Sequence, residues 1–165
     1  NAVKDDLLED IAFAKYIVRK GHGKVQLLYA DGMLKCSMYP TFSAFQSGWR
    51  RIYIEAAGRR IKNLKQSAIL ALVVGVLFPL AGVAGICVGA QASPTLFWTA
   101  VASLVFAIIV IVWLYRINNA SMAYAIFAPI GAVVVAKIFF DAASMLKNKT
   151  PICWGGREYI LEARK

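Results

Sequence analysis

Four carboxylates, Asp5, Asp6, Glu9 and Asp10, crowd the start of the stretch "DDLLEDIAFAKYIVRKG", and three cations, Lys15, Arg19 and Lys20, crowd its end. A carboxylate at a helix start has two uses. It caps the helix and meets its positive end, typically worth about 0.3–1 kcal/mol. It can also act as a general base, held ionised by that same dipole. A second group with chemical reach closes the chain in "CWGGREY", where the Arg157 fork suits a phosphate or an acidic partner. Trp154 and Tyr159 beside it equally suit the aromatic belt of a membrane interface. Metal and disulfide chemistry find little here. His22 is the only histidine, and Cys36, Cys87 and Cys153 lie far apart without C-x-x-C spacing, so free thiols are expected.

The elements that carry these residues follow from spacing. Asp6-x-x-Glu9 is a capping-box-like start, and Leu7, Leu8, Ile11, Ala14, Ile17 and Val18 form a helical apolar stripe that Gly21-His22-Gly23 stops. "KVQLLYA" and "MLKCSMY" read as two strands around an Asp31-Gly32 turn. In "PTFSAFQSGWRRIYIEAAGRRIKNLK", Phe42, Phe45, Trp49, Ile52, Tyr53 and Ala56 recur on one helical face. Arg50, Arg51, Arg59, Arg60 and Lys62 cover much of the rest. A basic amphipathic helix with boundary aromatics suits an anionic headgroup layer. Packing on its own domain is the alternative. Nucleic acid is the weaker reading, because basic charge does not separate phosphodiesters from anionic lipid, and no nucleic-acid partner is expected.

Composition sets the frame. The chain has 165 residues, 59% hydrophobic and 17% charged, with mean hydropathy +0.59 and net charge +10. Soluble domains are about 45–50% apolar and about 25% charged, so the excess marks a membrane protein. The apolar residues concentrate between Ser67 and Phe140, in runs Ser67–Ala90, Thr95–Tyr115 and Met122–Phe140. The first two match the ~20 residues that cross a ~30 Å hydrocarbon core, and the third is just long enough, with Lys137 near one end. Basic flanks place the arginine-rich helix, Arg116 and the tail of Lys147, Lys149 and Arg157 all in the cytosol. Three full crossings forbid that. Pro79 among Gly75, Gly82 and Gly85, or Pro129 with Gly131, is then expected to kink a run or make it re-entrant. The chain begins at Asn1 with no signal peptide before it, and about 65 polar residues could bury only a small core. Residues 1–39 are therefore expected to be the tail of a larger domain.

The order of these parts resembles the C-terminal part of membrane-bound family 2 glycosyltransferases, of the ceramide-glucosyltransferase type and its bacterial relatives. "LLEDIAFAKYIVRKG" is similar to the family's third acidic motif, which implies Asp10 as catalytic base with Glu9 beside it. "FQSGWRRI" stands where the (Q/R)-x-x-R-W motif is expected, with Arg51 matching its arginine. Gly48 departs from the expected Gln or Arg and Ile52 from the expected Trp, with Trp49 the nearest ring. "CWGGREY" matches the terminal W-x-G-R-x-Y at Trp154, Gly156, Arg157 and Tyr159.

The resemblance implies the α/β tail of a GT-A domain over 1–39, followed by an α-helical membrane domain. Its parts would be an interfacial amphipathic helix over 40–65, two or three transmembrane helices over 66–146, and the motif-bearing tail over 147–165. It implies a sugar moved from a nucleotide-sugar donor to a membrane lipid acceptor at the cytosolic face of a bacterial-type inner membrane. Trp49, Arg50, Arg51, Trp154, Gly156, Arg157 and Tyr159 would line the acceptor side. A divalent metal, Mg or Mn, would be held by a D-x-D motif upstream of Asn1, with no metal in this fragment and no turnover by it alone. Ceramide, diacylglycerol, a carotenoid or hopanoid acid, and a polyprenol all stay open as acceptor. The competing class is a non-enzymatic membrane protein, a transporter subunit or anchor, which would place ionisable residues along a path inside the spans; only Lys137 and Asp141 come near.

Overall fold

The computed structural model describes residues 9–26, 38–154 and 157–164, with the backbone alone at Glu9, Ile11 and Arg157. These residues are mostly helical, and they divide into two compact units. One comprises residues 1–64 with 141–165, the other residues 65–140. The hairpin expected over residues 24–39 falls largely on 27–37, outside the described residues.

In the first unit, α1 spans Glu9–Arg19 and α2 spans Phe42–Ala56. Each ends for the same reason. Gly21 at φ 69° lets His22 N–H bond Ile17 C=O and Gly21 N–H bond Val18 C=O. Gly58 at φ 66° does this for α2, through Arg59 N–H to Ile54 C=O and Gly58 N–H to Glu55 C=O. These paired bonds satisfy the last carbonyls of a helix, and the left-handed residue they require favours glycine. The amphipathic helix expected over 40–65 therefore stops at Ala56. Thr41 caps its start, its Oγ1 accepting from Ala44 N–H at 3.1 Å. The tail forms an antiparallel pair, β1 (Ile152–Trp154) and β2 (Arg157–Tyr159), with Ile152 opposite Tyr159 and Trp154 opposite Arg157. Ile54, Leu64, Ala142, Ala143, Leu146, Ile152 and Leu161 are its buried apolar residues.

The second unit is built from long helices. α3 (Ile61–Leu72) enters it, runs through a π turn at Val73–Leu77, and continues as α4 (Phe78–Ala92). The π turn sits just before Pro79, which has no N–H for the carbonyl of Gly75. Widening the preceding turn, with Phe78 N–H reaching Val73 C=O, takes up the mismatch without breaking the helix. α5 spans Pro94–Ile117, and a 3-10 turn at Met122–Phe127 leads into α6 (Ala128–Lys147). Pro129 falls in the first turn of α6, where a missing N–H costs nothing. Neither proline breaks its run. Three helices, Ile61–Ala92, Pro94–Ile117 and Met122–Lys147, are long and apolar enough to cross a membrane.

The α4–α5 connection is a single residue. Ser93 leaves α4 in extended conformation, and its Oγ accepts from Leu96 N–H to start α5, with Pro94 next. So tight a turn lays the two helices antiparallel, and glycines let them touch. Gly82 lies against Leu104, Gly85 against Ala100, and Gly89 against the backbone of Phe97. Small residues at such spacing allow backbones to approach within lipid, where burying large apolar side chains has no solvent advantage. Those large side chains face outward. Trp98, Phe106 and Trp113 are all more than 60% exposed.

Candidate functional site

Asp10, the sequence-level candidate for a base, occupies the exposed first turn of α1. Glu9 begins the same helix. The remaining candidates lie on α2 and on the terminal hairpin, and here the structure departs from a simple amphipathic helix.

α2 buries Gly48, Arg51 and Ile54, three residues one helical face apart. The ring of Tyr39 lies directly against Gly48, where the resemblance led to an expectation of Gln or Arg, and leaves no room for a side chain. The departure thus has a local packing reason. The Tyr39 hydroxyl is buried there without a hydrogen-bond partner among the described residues.

Arg51 was expected on the exposed basic face and is instead only 6% exposed. Its guanidinium carbon lies 3.5 Å from the centroid of the Trp154 ring. Stacking over an indole suits a planar, weakly hydrated cation and is worth about 2 kcal/mol when desolvated. Arg50 next to it binds locally, with Nε donating to Gln46 C=O at 3.2 Å and Nη2 to Ser47 Oγ at 3.3 Å. Its Nη1 points to Met145 Sδ at 3.7 Å. Arg59 pairs Glu55 at 2.7 Å, and its carbonyl accepts from Arg164 N–H at 2.9 Å. The tail therefore returns to α2 at Arg51, in the middle of its buried face, and again at Arg59, just past its end.

The aromatic face stays only partly covered. Tyr39 and Phe42 both meet Phe45, and Phe45, Trp49 and Tyr53 continue as a row, with paired ring centroids 5.2–6.1 Å apart. An open groove of about 640 Å³ runs along it between Met38 and Trp49. Partial burial pushes the Tyr53 phenol up, which keeps it neutral.

Of the residues singled out by resemblance, Arg51 and Trp154 come into contact, Trp154 and Arg157 pair across the hairpin, and Trp49 and Arg50 adjoin them on α2. Tyr159 is half-buried opposite Ile152, and Gly156 lies outside the described residues. Asp10 is on a separate element, α1. Sequence reasoning overlooked Met145 and Glu55; the i,i+4 spacing of Glu55 and Arg59 was the available signal. Among the described residues no group of three His, Cys, Asp or Glu side chains is placed to hold a metal ion. Cys87 and Cys153 are free and exposed.

The geometry defines a helical membrane protein with a basic, aromatic-faced helix locked to its own C-terminal tail. No protein-family model, curated protein or solved structure matches this chain.

Proposed function

We propose that this chain is the acceptor-side part of a glycosyltransferase that moves a sugar from a nucleotide-sugar donor to a membrane lipid on the cytosolic face. The observation that supports it is the Arg51–Trp154 stack. Two segments that resemble family motifs, "FQSGWRRI" and "CWGGREY", stand on opposite sides of the apolar region in sequence and meet in one unit. In this reading the aromatic row of α2 sits among lipid headgroups and acyl carbons, and Arg50 and Arg60 meet anionic headgroups.

Asp10 is the base. As the acceptor hydroxyl oxygen bonds to the anomeric carbon, the Asp10 carboxylate takes its proton, and the anomeric carbon–oxygen bond to the nucleoside diphosphate breaks. The diphosphate leaves with the bonding pair. Trp49, Arg157 and Tyr159 hold the acceptor, while the donor and its divalent metal belong to a D-x-D-bearing half that the resemblance places before Asn1.

The test is Asp10→Asn in a polypeptide that carries both halves, read as nucleoside diphosphate release with lipid extract as acceptor. A general base contributes about 10²–10⁴-fold, so turnover should fall at least a hundredfold while donor binding stays near wild type. Retention of more than roughly a tenth of the rate, against that range, would reduce Asp10 to a helix cap.

A further inference from the structure

We infer that the chain crosses the bilayer twice, through α3–α4 and back through α5, and that Met122–Lys147 is embedded in the membrane without traversing it. This stands apart from the proposed sugar transfer and uses none of its residues as catalysts.

The first argument is parity. The first unit holds the chain up to Leu64 and again from Asp141 onward. It is bound together internally by Arg164 N–H on Arg59 C=O at 2.9 Å, Arg51 over Trp154 at 3.5 Å and Arg50 near Met145 at 3.7 Å. A unit held by such contacts, with the Lys149–Glu162 ion pair on its exposed surface, cannot be split by a hydrocarbon layer. The apolar region therefore leaves one side and returns to it. Its crossings must be even in number, although three of its helices are long enough to cross.

The second argument decides which helix gives way. No charged residue occurs between Lys65 and Arg116, and α4 and α5 pack on each other at Gly82, Gly85 and Gly89. Such a hairpin with an uncharged tip at Ser93 is built to span. The third segment differs. It carries Lys137 and Asp141 inside the helix rather than at its end. Its uncharged part, 122–136, is about 15 residues against the ~20 that a crossing needs. It is tied to the end of α5 at its start, where the Tyr115 hydroxyl donates to Tyr124 C=O at 3.2 Å. Ala132 then lies against Gly75, part-way along the first long helix, and by Asp141 the chain belongs to the first unit again.

Two crossings also put every basic flank on one side: Arg59 to Lys65, Arg116, and Lys147 with Lys149. Three crossings would strand the last group opposite the first two. Charge distribution across short loops follows the first arrangement. The exposed Ile126, Phe127, Ile130 and Val133 of the third segment then meet acyl chains on a face that never reaches the far headgroups.

Single cysteines at Ser43, Ser93 and Asn148, in a background with Cys36, Cys87 and Cys153 replaced by Ser, test this with an impermeant maleimide on sealed and on opened membranes. Ser43 and Asn148 should label on the same side and Ser93 on the other. Labelling of Asn148 together with Ser93 would overturn the inference, and so would labelling of Ser43 and Ser93 on one side. A second measurement keeps the native cysteines, by protease accessibility in sealed vesicles of a tag after Lys165 and of one between Ala92 and Ser93. Opposite protection supports two crossings. Equal protection overturns them.

Discussion

The first unit buries an arginine against a tryptophan and closes its helices with left-handed glycines, whereas the second buries alanines and glycines and turns Trp98, Phe106 and Trp113 outward. The contrast reflects two solvents. In water, burying Ile54, Leu64 and Leu146 removes apolar area at about 25 cal/mol per Å². In lipid that gain vanishes, and helices associate through close backbone approach at small residues. A polar stack such as Arg51–Trp154 holds the first unit's tail in place, and a glycine seam holds the second unit's hairpin.

The largest expected effect comes from filling that seam. At Gly89 an added side chain meets the Phe97 backbone, which cannot rotate aside. Gly89→Leu should splay α4 from α5 and lower stability by about 1–3 kcal/mol or more. Helical circular dichroism of the chain in detergent micelles should show Gly89→Leu unfolding at a lower temperature than wild type. The contacts of the first unit should survive, with proteolysis after Lys147 no faster than in wild type. Loss of both together would mean the two regions are not separate in their stabilisation.

Removing the stack comes next. Trp154→Ala leaves Arg51 buried without its ring and should cost about 2 kcal/mol. The expected readout is faster proteolysis after Lys147 with unchanged membrane insertion. Arg51→Lys should lose most of the same stabilisation, because an ammonium cannot stack as a guanidinium does. If Arg51→Lys behaves as wild type, the contact is only charge near a ring.

The smallest effect belongs to the Lys149–Glu162 pair, at 2.9 Å and wholly exposed. Lys149 holds the Glu162 carboxyl below its ordinary value, by hydrogen bond and then by charge, and Glu162 raises the Lys149 ammonium for the same reasons. The Glu162 contribution is present above the unfolded carboxylate value and lost as pH falls through the lowered folded one. That of Lys149 is present below the unfolded ammonium value and lost as pH rises through the raised folded one. Stability should thus be flat in this pair across neutral pH. Glu162→Gln should leave the neutral Tm unchanged within error, as exposed pairs do, and remove only a slight acid-side dependence. A clear drop at neutral pH would show that the pair anchors the tail.

Much of this was legible in the chain. The three apolar helices followed from runs of hydrophobic residues whose length matches a bilayer. The end of α1 followed from Gly21, because only glycine takes a left-handed backbone without penalty; Gly58 carries the same signal for α2, yet that helix was expected to run on to residue 65. Asn119 at φ 49° and Lys149 at φ 50° end α5 and α6 in the same way, but Lys149 carries no such signal. Gly82 and Gly85, read beside Pro79 as candidate breakers, proved with Gly89 to be the packing seam. A local pattern cannot separate those roles, since both call for a residue without a side chain.

The sequence alone determined that three apolar helices form and roughly where each lies, because apolar run length and charge act through neighbours a few residues away. Tertiary structure decided which face of α2 is buried. Periodicity favoured the aromatic face, yet Gly48, Arg51 and Ile54 are the residues covered. It also decided that the tail returns to α2. Both depend on Trp154 reaching Arg51 across the whole apolar region. No spacing rule encodes such a pairing, because its partners lie on opposite sides of the apolar region in sequence.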